Sequence, residues 1–265
     1  MRALLAQLAP ASGDPWANAR RACALLDEHA DADLAVFPEL WLSGYELRPS
    51  PELARECGAA LRLVAERAAA NRTAVVVGLA EERPDGIANA AAVVAEDGSL
   101  AGTYRKVNLF GRERDGYVAG DRLLIAPAAG KSLAPLVCFD VEFPEPARAV
   151  ARAGAELLVT VSANMEPYAA DHALFARARA LENRLPHIYV NRVGSEAGFR
   201  FVGGSCVIGA DGMIVAELSP DAEDARLVEV PFGRPDEAVD YLRRLRDNYP
   251  VDRPGPTPTR VGGRA

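Results

Sequence analysis

Three residues of this chain have the type and the setting for covalent chemistry. Cys138 stands in Leu136-Val137-Cys138-Phe139-Asp140, where an apolar run gives way to a turn that leads through Glu142-Phe143-Pro144-Glu145 into a helix. A strand-to-helix elbow of this kind exposes a nucleophile and turns backbone N–H groups toward it. Glu39 follows the apolar run Leu34-Ala35-Val36-Phe37 in Phe37-Pro38-Glu39-Leu40, at the carboxyl end of a strand, where α/β folds place ligands. A carboxylate there is suited to general acid–base work. Lys106, in Tyr104-Arg105-Lys106-Val107-Asn108-Leu109-Phe110, is a cation at a strand end and suits a developing oxyanion. Each has a plainer explanation when taken alone. Cys138 could be a small core hydrophobe, Glu39 a capping or salt-bridged acid, and Lys106 a solvated strand end.

A cysteine nucleophile reacts as the thiolate, so something must take its proton. The three histidines, His29, His172 and His187, sit in no suggestive motif and read as structural: two in helical stretches, one opening a strand. The base for Cys138 is therefore expected to be a carboxylate. Cys23, Cys57 and Cys206 read as buried small residues, and none of the four cysteines forms a CxxC pair. That argues against a zinc or thioredoxin-type site.

These residues need a frame that sets strand ends side by side. Apolar runs alternate with amphipathic stretches. Strands are expected over 4–9, 34–37, 74–79, 133–139, 157–162 and 188–193, with helices over 16–29, 51–71, 144–153 and 171–184. Asp14-Pro15 supplies a cap and a first-turn proline for the first helix. Asp97-Gly98 between 88–95 and 100–105, and Asp211-Gly212 between 206–209 and 214–218, are hairpin signals. An edge strand over 227–230 and a last helix over 235–246 complete the pattern. Strands alternating with helices give an α/β layered fold, and the hairpins make its sheets mixed. No Pro/Gly/Ser linker divides the middle, so one domain is expected over 1–248. It is followed by a Pro-, Gly- and Arg-rich tail, 249–265, suited to a surface or a subunit interface.

The chain has 265 residues and a formal net charge of -7. The acidic balance argues against a general nucleic-acid binder. No apolar run is long enough to span a membrane, and the start lacks the pattern of a secretory signal. A reduced, cytoplasmic protein is the expectation.

Taken in order, Pro38-Glu39-Leu40, Tyr104 to Phe110 and Cys138-Phe139-Asp140-Val141-Glu142-Phe143-Pro144-Glu145 resemble the nitrilase (carbon–nitrogen hydrolase) superfamily. The resemblance runs from the first strand to about Val230. It implies a four-layer αββα sandwich with two mixed sheets and a Glu–Lys–Cys triad. Glu39 would be the general base and later acid, Lys106 the oxyanion cation, and Cys138 the nucleophile, with the Phe139 N–H sharing the oxyanion. Glu113, in the Leu109-Phe110-Gly111-Arg112-Glu113-Arg114 run, would help position substrate and water. A loop salt bridge to Arg112 or Arg114 is its other explanation. Tyr45 matches the family's PEL-x-x-x-GY pattern and would orient Glu39. Asn164, in Ser162 to Tyr168, matches a pocket-lining strand end. The family often has His two residues after the lysine; this chain has Asn108.

The resemblance further implies hydrolysis of small amides through a thioester, without metal or organic cofactor. The run Ser162 to Tyr168 with Ala173 to Arg184 and Asn191-Arg192-Val193-Gly194 is most similar to aliphatic amidases of the 5-aminopentanamidase type and to R-stereoselective amidases. A cationic tail would want a carboxylate, for which Glu142, Glu166 and Asp171 are the candidates. N-carbamoyl-amine hydrolase, nitrilase and a non-catalytic binding module stand as alternatives. A homodimer or a multiple of dimers is the expected assembly.

Overall fold

A computed structural model of the chain describes residues 1–233 and 239–245. In chain order the first half runs β1 (Arg2–Gln7), α1 (Pro15–Glu28), β2 (Leu34–Val36), α2 (Pro51–Asn71), β3 (Ala74–Arg83), β4 (Gly86–Val94) and β5 (Leu100–Arg105). The second runs β6 (Ala126–Ala128), β7 (Lys131–Val137), α3 (Pro144–Arg152), β8 (Leu157–Ser162), α4 (Ala169–Asn183) and β9 (His187–Asn191). It continues with β10 (Val193–Glu196), β11 (Phe199–Val202), β12 (Cys206–Ile208), β13 (Ile214–Glu217), β14 (Asp224–Glu229) and α5 (Tyr241–Arg244).

Two six-stranded sheets result, ordered β14-β1-β2-β3-β4-β5 and β6-β7-β8-β9-β12-β13, beside a β10-β11 ribbon. Both sheets repeat one pairing pattern. The first pair is antiparallel, the next two are parallel, and the last two are antiparallel. Helices make the parallel crossovers in each. Side-chain alternation builds the layers. Ala3, Leu5, Leu34 and Val36 point to the facing sheet, where they meet Val137, Val159, Val161, Ile188 and Val190. Leu4, Ala6, Ala35, Val75 and Val77 point the other way, onto Ala19, Ala22 and Leu26 of α1 and Ala60, Val64 and Ala68 of α2. The second sheet is covered by Ala147 and Val150 of α3 and Ala176 and Ala180 of α4. The chain is thus a single α/β domain with two mixed sheets between helical layers, in the order αββα.

The helix starts follow their caps. Asp14 Oδ1 accepts from Ala17 N at 2.8 Å and Ser50 Oγ from Leu53 N at 3.1 Å, each followed by a proline at the first helical position. The strands differ more from expectation. The sheet run 74–79 continues to Arg83 and turns at Pro84-Asp85 into β4, so β3–β5 form a three-stranded meander. Three-residue β6 and the β10-β11 ribbon are too short to show a period. The edge strand pairs antiparallel with β1. Of the last helix only Tyr241–Arg244 is seen; 234–238 and the tail 249–265 lie outside the described residues. Among the described residues no helix is long and apolar enough to cross a membrane.

His187 opens β9 as a structural residue. Its Nδ1 donates to Ala176 O at 3.0 Å and Thr160 Oγ1 lies 2.8 Å from Nε2. Full burial drives its pKa down to about 4, the Ala176 carbonyl opposing the shift. The folded protein therefore takes up this proton later than the unfolded chain. The stability it contributes is complete above about pH 6.5 and is lost as pH falls toward 4, about 2–3 kcal/mol by pH 4.5. Urea unfolding at pH 7 and pH 4.5 checks this. His187→Gln should be less stable at pH 7 yet lose less between the two pH values, and an equal loss in both proteins would contradict it.

Candidate active site

The carboxyl ends of β2, β5, β7 and β8 meet at one end of the sandwich. Glu39 follows β2, Lys106 follows β5, Cys138 follows β7, and Ala163-Asn164 follow β8. Lys106 Nζ lies 2.7 Å from Glu39 Oε1 and 2.9 Å from Glu113 Oε1. All three side chains are at most 1% exposed. Glu39 Oε1 also accepts from Asn89 Nδ2 at 2.7 Å, and Oε2 from Ala163 N at 2.8 Å. Glu113 Oε1 accepts from Tyr45 Oη at 3.1 Å, and Oε2 from Phe110 N at 2.9 Å.

This is a buried cluster of two carboxylates on one ammonium. Burial alone would discharge Lys106, but Glu113 and Glu39 outweigh it and hold its pKa well above the ordinary lysine value. Burial raises Glu113, with Lys106 opposing and Glu39 reinforcing the rise. One cation shared by two acids leaves a site where a proton is readily held among the carboxyl groups. The thiol of Cys138 is likewise pushed up, by burial first and by Glu39 next, while Lys106 pulls it down. A resting thiol beside a carboxylate and a fixed cation is an arrangement that can lose its proton as it attacks a carbonyl or nitrile carbon.

The local backbone is bent to achieve this. Cys138 has φ +44° and Leu40, next to Glu39, has φ +50°, a region non-glycine residues seldom occupy and one often found at functional sites. The Glu39 loop rests on Gly78 of β3. A Cβ there would stand 2.3 Å from Pro38 O and 2.4 Å from Leu40 N, so only glycine fits. Cys138 opens a 3-10 turn, Cys138–Glu142, whose first N–H groups, that of Phe139 among them, precede the turn's own hydrogen bonding. Buried Asp140 pins that turn to the Lys106 loop. It accepts from Tyr104 Oη at 2.7 Å, Asn108 N at 2.9 Å, Asn108 Nδ2 at 3.0 Å and Val137 N at 3.2 Å. Asn108 is thus a strut between the two loops.

A narrow cleft opens on Cys138, walled by Tyr45, Phe110, Phe139, Met165 and Tyr168, with Glu142, Asn164 and His172 as its polar lining. Phe110 stands edge-on to Phe139 and Tyr168, with ring centroids 5.3 and 5.8 Å away. A larger groove between α2 and the β3–β5 sheet is lined by Arg55, Glu81, Glu82 and Thr103 and contains no cysteine. Among the described residues no group of three or more His, Cys, Asp or Glu could hold a metal.

Glu39, Tyr45, Lys106, Glu113, Cys138, Phe139, Glu142 and Asn164 lie at or beside this cleft, with several reassignments. The Tyr45 hydroxyl bonds Glu113, not Glu39. Glu113 pairs with Lys106, and Arg112 goes instead to Asp115. Glu166 pairs with Arg200 on the surface and Asp171 is exposed, so only Glu142 of the three carboxylates lines the cleft. His172, read as structural, also lines it. Sequence reading passed over Asn89, Asp140, Ser162 and Tyr189. Asn89 had a signal, a lone amide in the otherwise apolar buried stretch Ile87 to Val94.

Asp140→Asn would set an amide N–H₂ against donors of Asn108 or Val137. Leaving such buried donors unsatisfied costs about 2–4 kcal/mol. The melting temperature should fall by roughly 5–15 °C and the fast steps of Cys138 alkylation should change with it. An unchanged melting curve would show that Asp140 is not the strut described.

The match to the carbon-nitrogen hydrolase family model spans residues 2–238. An (R)-stereoselective amidase of Pseudomonas sp. is 34% identical over 255 residues, covering 94% of this chain and 89% of that protein. Among solved structures, the amidase of Nesterenkonia sp. AN1 superposes with a TM-score of 0.82 at 31% identity, covering 93% of this chain and 94% of the other. In that structure, of a Glu-to-Gln variant, the acetamide moiety of fluoroacetamide is covalently added to the active-site cysteine. A Cys-to-Ala variant of the same amidase, in complex with butyramide, superposes with a TM-score of 0.81 at 30% identity over 93% of this chain and 94% of that one. By sequence and by fold, this chain belongs to the carbon-nitrogen hydrolase family.

Proposed function

We propose that this protein hydrolyses small aliphatic primary amides to the carboxylic acid and ammonia through a thioester on Cys138. The observation that carries the reading is the buried ammonium of Lys106 held between Glu39 and Glu113 beside a thiol at positive φ. The similarity to amidases, one of them with butyramide bound, supports the bond type and the size of the acyl group.

Glu39 takes the Sγ proton as sulfur attacks the amide carbon. Lys106 and the Phe139 N–H meet the negative charge that develops on oxygen. Glu39 passes the proton to the amide nitrogen, ammonia leaves, and a thioester remains. Water, deprotonated by Glu39, attacks the thioester carbon, and the thiol takes the proton back as the acid departs. Glu113 keeps Lys106 aimed, and Tyr45 keeps Glu113 aimed. Phe110, Phe139, Met165 and Tyr168 pack the aliphatic part of the substrate, with Asn164 and Glu142 as the polar contacts.

Cys138→Ala should abolish hydrolysis of butyramide. Glu113→Gln should lower kcat about 100- to 1,000-fold, the usual scale for loss of one electrostatic element at such a site. Turnover of butyramide, 5-aminopentanamide, 4-guanidinobutanamide, an N-carbamoyl amino acid and butyronitrile resolves the substrate. Amides are expected to be fastest. Faster nitrile or N-carbamoyl turnover would overturn the amidase reading, and no turnover with an unreactive Cys138 would favour a binding module. Fastest turnover of the amino or guanidino amide would assign Glu142 to a cationic tail.

The protein is also read as a cytoplasmic homo-oligomer. Leu174 and Leu181 of α4 and Met213, Ile214 and Val215 of the β12–β13 hairpin are exposed, and Gly212 packs against Leu181. A second copy would cover such an apolar face. Light scattering should give a dimer or a multiple of it; a monomer at all concentrations would contradict this.

A further inference from the structure

Tyr45 is held from two sides by a segment that belongs to neither main sheet. Its ring stands edge-on to Phe199 and Phe201 of β11, with centroids 5.8 and 5.3 Å away. Its backbone N–H donates to Oε2 of Glu196, the last residue of β10, at 3.0 Å. The same Oε2 accepts from Arg192 Nη1 at 2.5 Å, and the Arg192 guanidinium lies over the Phe201 ring, 4.1 Å from its centroid. These contacts close a circle: Tyr45 to Glu196, Glu196 to Arg192, Arg192 to Phe201, and Phe201 back to Tyr45. The ribbon is itself fixed just beyond the end of β8, where Phe201 pairs with Met165 and Val202 N donates to Asn164 O at 3.2 Å.

Stability is a poor account of this arrangement. The Arg192 and Glu196 side chains are 2% and 12% exposed, and buried Arg192 Nε has no hydrogen-bond partner among the described residues. A buried ion pair is often no more stabilising than apolar residues of the same volume, and a buried donor left unbonded is destabilising. What the pair achieves is placement. Gly44, at φ +76°, brings the Tyr45 loop so near that a Cβ would stand 2.7 Å from Glu196 Oε1 and 2.9 Å from Ser12 Cα. Glu196 therefore meets Tyr45 N with little freedom to shift. At the other end of the residue, Tyr45 Oη donates to Glu113 Oε1 at 3.1 Å, the oxygen that also holds Lys106 Nζ at 2.9 Å. A displacement of Tyr45 is thus passed to Glu113 and on to the ammonium.

We propose that Glu196, held by Arg192, is a positioning residue of the active site, fixing Tyr45 where its hydroxyl aims Glu113 at Lys106. Neither Arg192 nor Glu196 lines the cleft; both act through Tyr45. The inference rests on the hydrolase reading, in which Lys106 meets the charge on the substrate oxygen, and its test separates the two.

Two double variants differ only in whether residue 196 offers an acceptor to Tyr45 N, with no charge left in either. Arg192→Met/Glu196→Gln keeps that acceptor, and Arg192→Met/Glu196→Leu removes it. With butyramide, kcat in the protein with Glu196→Leu should lie about 10- to 100-fold below that with Glu196→Gln, the scale of a displaced catalytic group. KM should differ less than about threefold. In a Tyr45→Phe background the hydroxyl that carries the effect is gone, and the ratio should collapse to within about twofold. Phe201→Leu, compared with Phe201 in the same two backgrounds, carries the test from the ring side if Arg192→Met/Glu196→Leu does not fold. A merely structural role would keep the same ratio with and without the hydroxyl. An equal ratio in both backgrounds, or no effect in either, would overturn the proposal. Alkylation of Cys138 by iodoacetamide, followed by peptide mass, reads the same proteins without turnover. An alkylation rate that depends on residue 196 only when Tyr45 is present, in a protein that turns over no amide, would keep the clamp and remove the hydrolase reading. Turnover with equal ratios would remove the clamp alone.

Discussion

One ammonium buried between two carboxylates is the constraint on which the rest of this structure depends. Removing water from three charges carries a large desolvation penalty, and taking away one partner of such a group typically costs about 3–5 kcal/mol. The fold must therefore deliver Glu39, Lys106 and Glu113 together. Three chain segments converge for this: the loop after β2, the loop after β5 and the 3-10 turn at Gly111–Asp115. The remaining acceptor capacity is met by Asn89, Ala163 N, Phe110 N and Tyr45. Gly78 is the local consequence, because the Glu39 loop can reach its place only over a strand position without a side chain. The repeated pairing pattern of the two sheets is the global one, since it brings the carboxyl ends of central strands from both halves to one place.

Cys138 inherits its chemistry from that cluster. Burial keeps the proton on sulfur, so the thiol is inert until a substrate carbon arrives to share the negative charge. Lys106 then gains as charge moves from sulfur to substrate oxygen, which is differential stabilisation of the transition state rather than of the ground state.

The sequence displayed the strand-end residues because their signal is local. Glu39 and Cys138 each follow an apolar run and Lys106 a strand end, and Asp14-Pro15 marks a helix start by chemistry within four residues. What could not be read depends on distant partners. His172 meets Glu142 thirty positions away and Tyr189 of β9, so its helical context looked ordinary. The family resemblance ties Tyr45 to Glu39, yet its hydroxyl reaches Glu113 across the fold. Asp140 lay inside the quoted motif, but its function as a strut appears only once Tyr104 and Asn108 are brought beside it. Ribbon β10-β11 and strand β6 were too short to carry a period.

The central claim is that Cys138 carries the acyl group during turnover. Its most direct test is rapid quenching of the protein during hydrolysis of butyramide, followed by intact and peptide mass analysis. A butyryl group on the peptide containing Cys138, formed and lost at rates that match turnover, is the expected result. Turnover with that peptide unmodified at every quench time, under conditions that preserve thioesters, would contradict it.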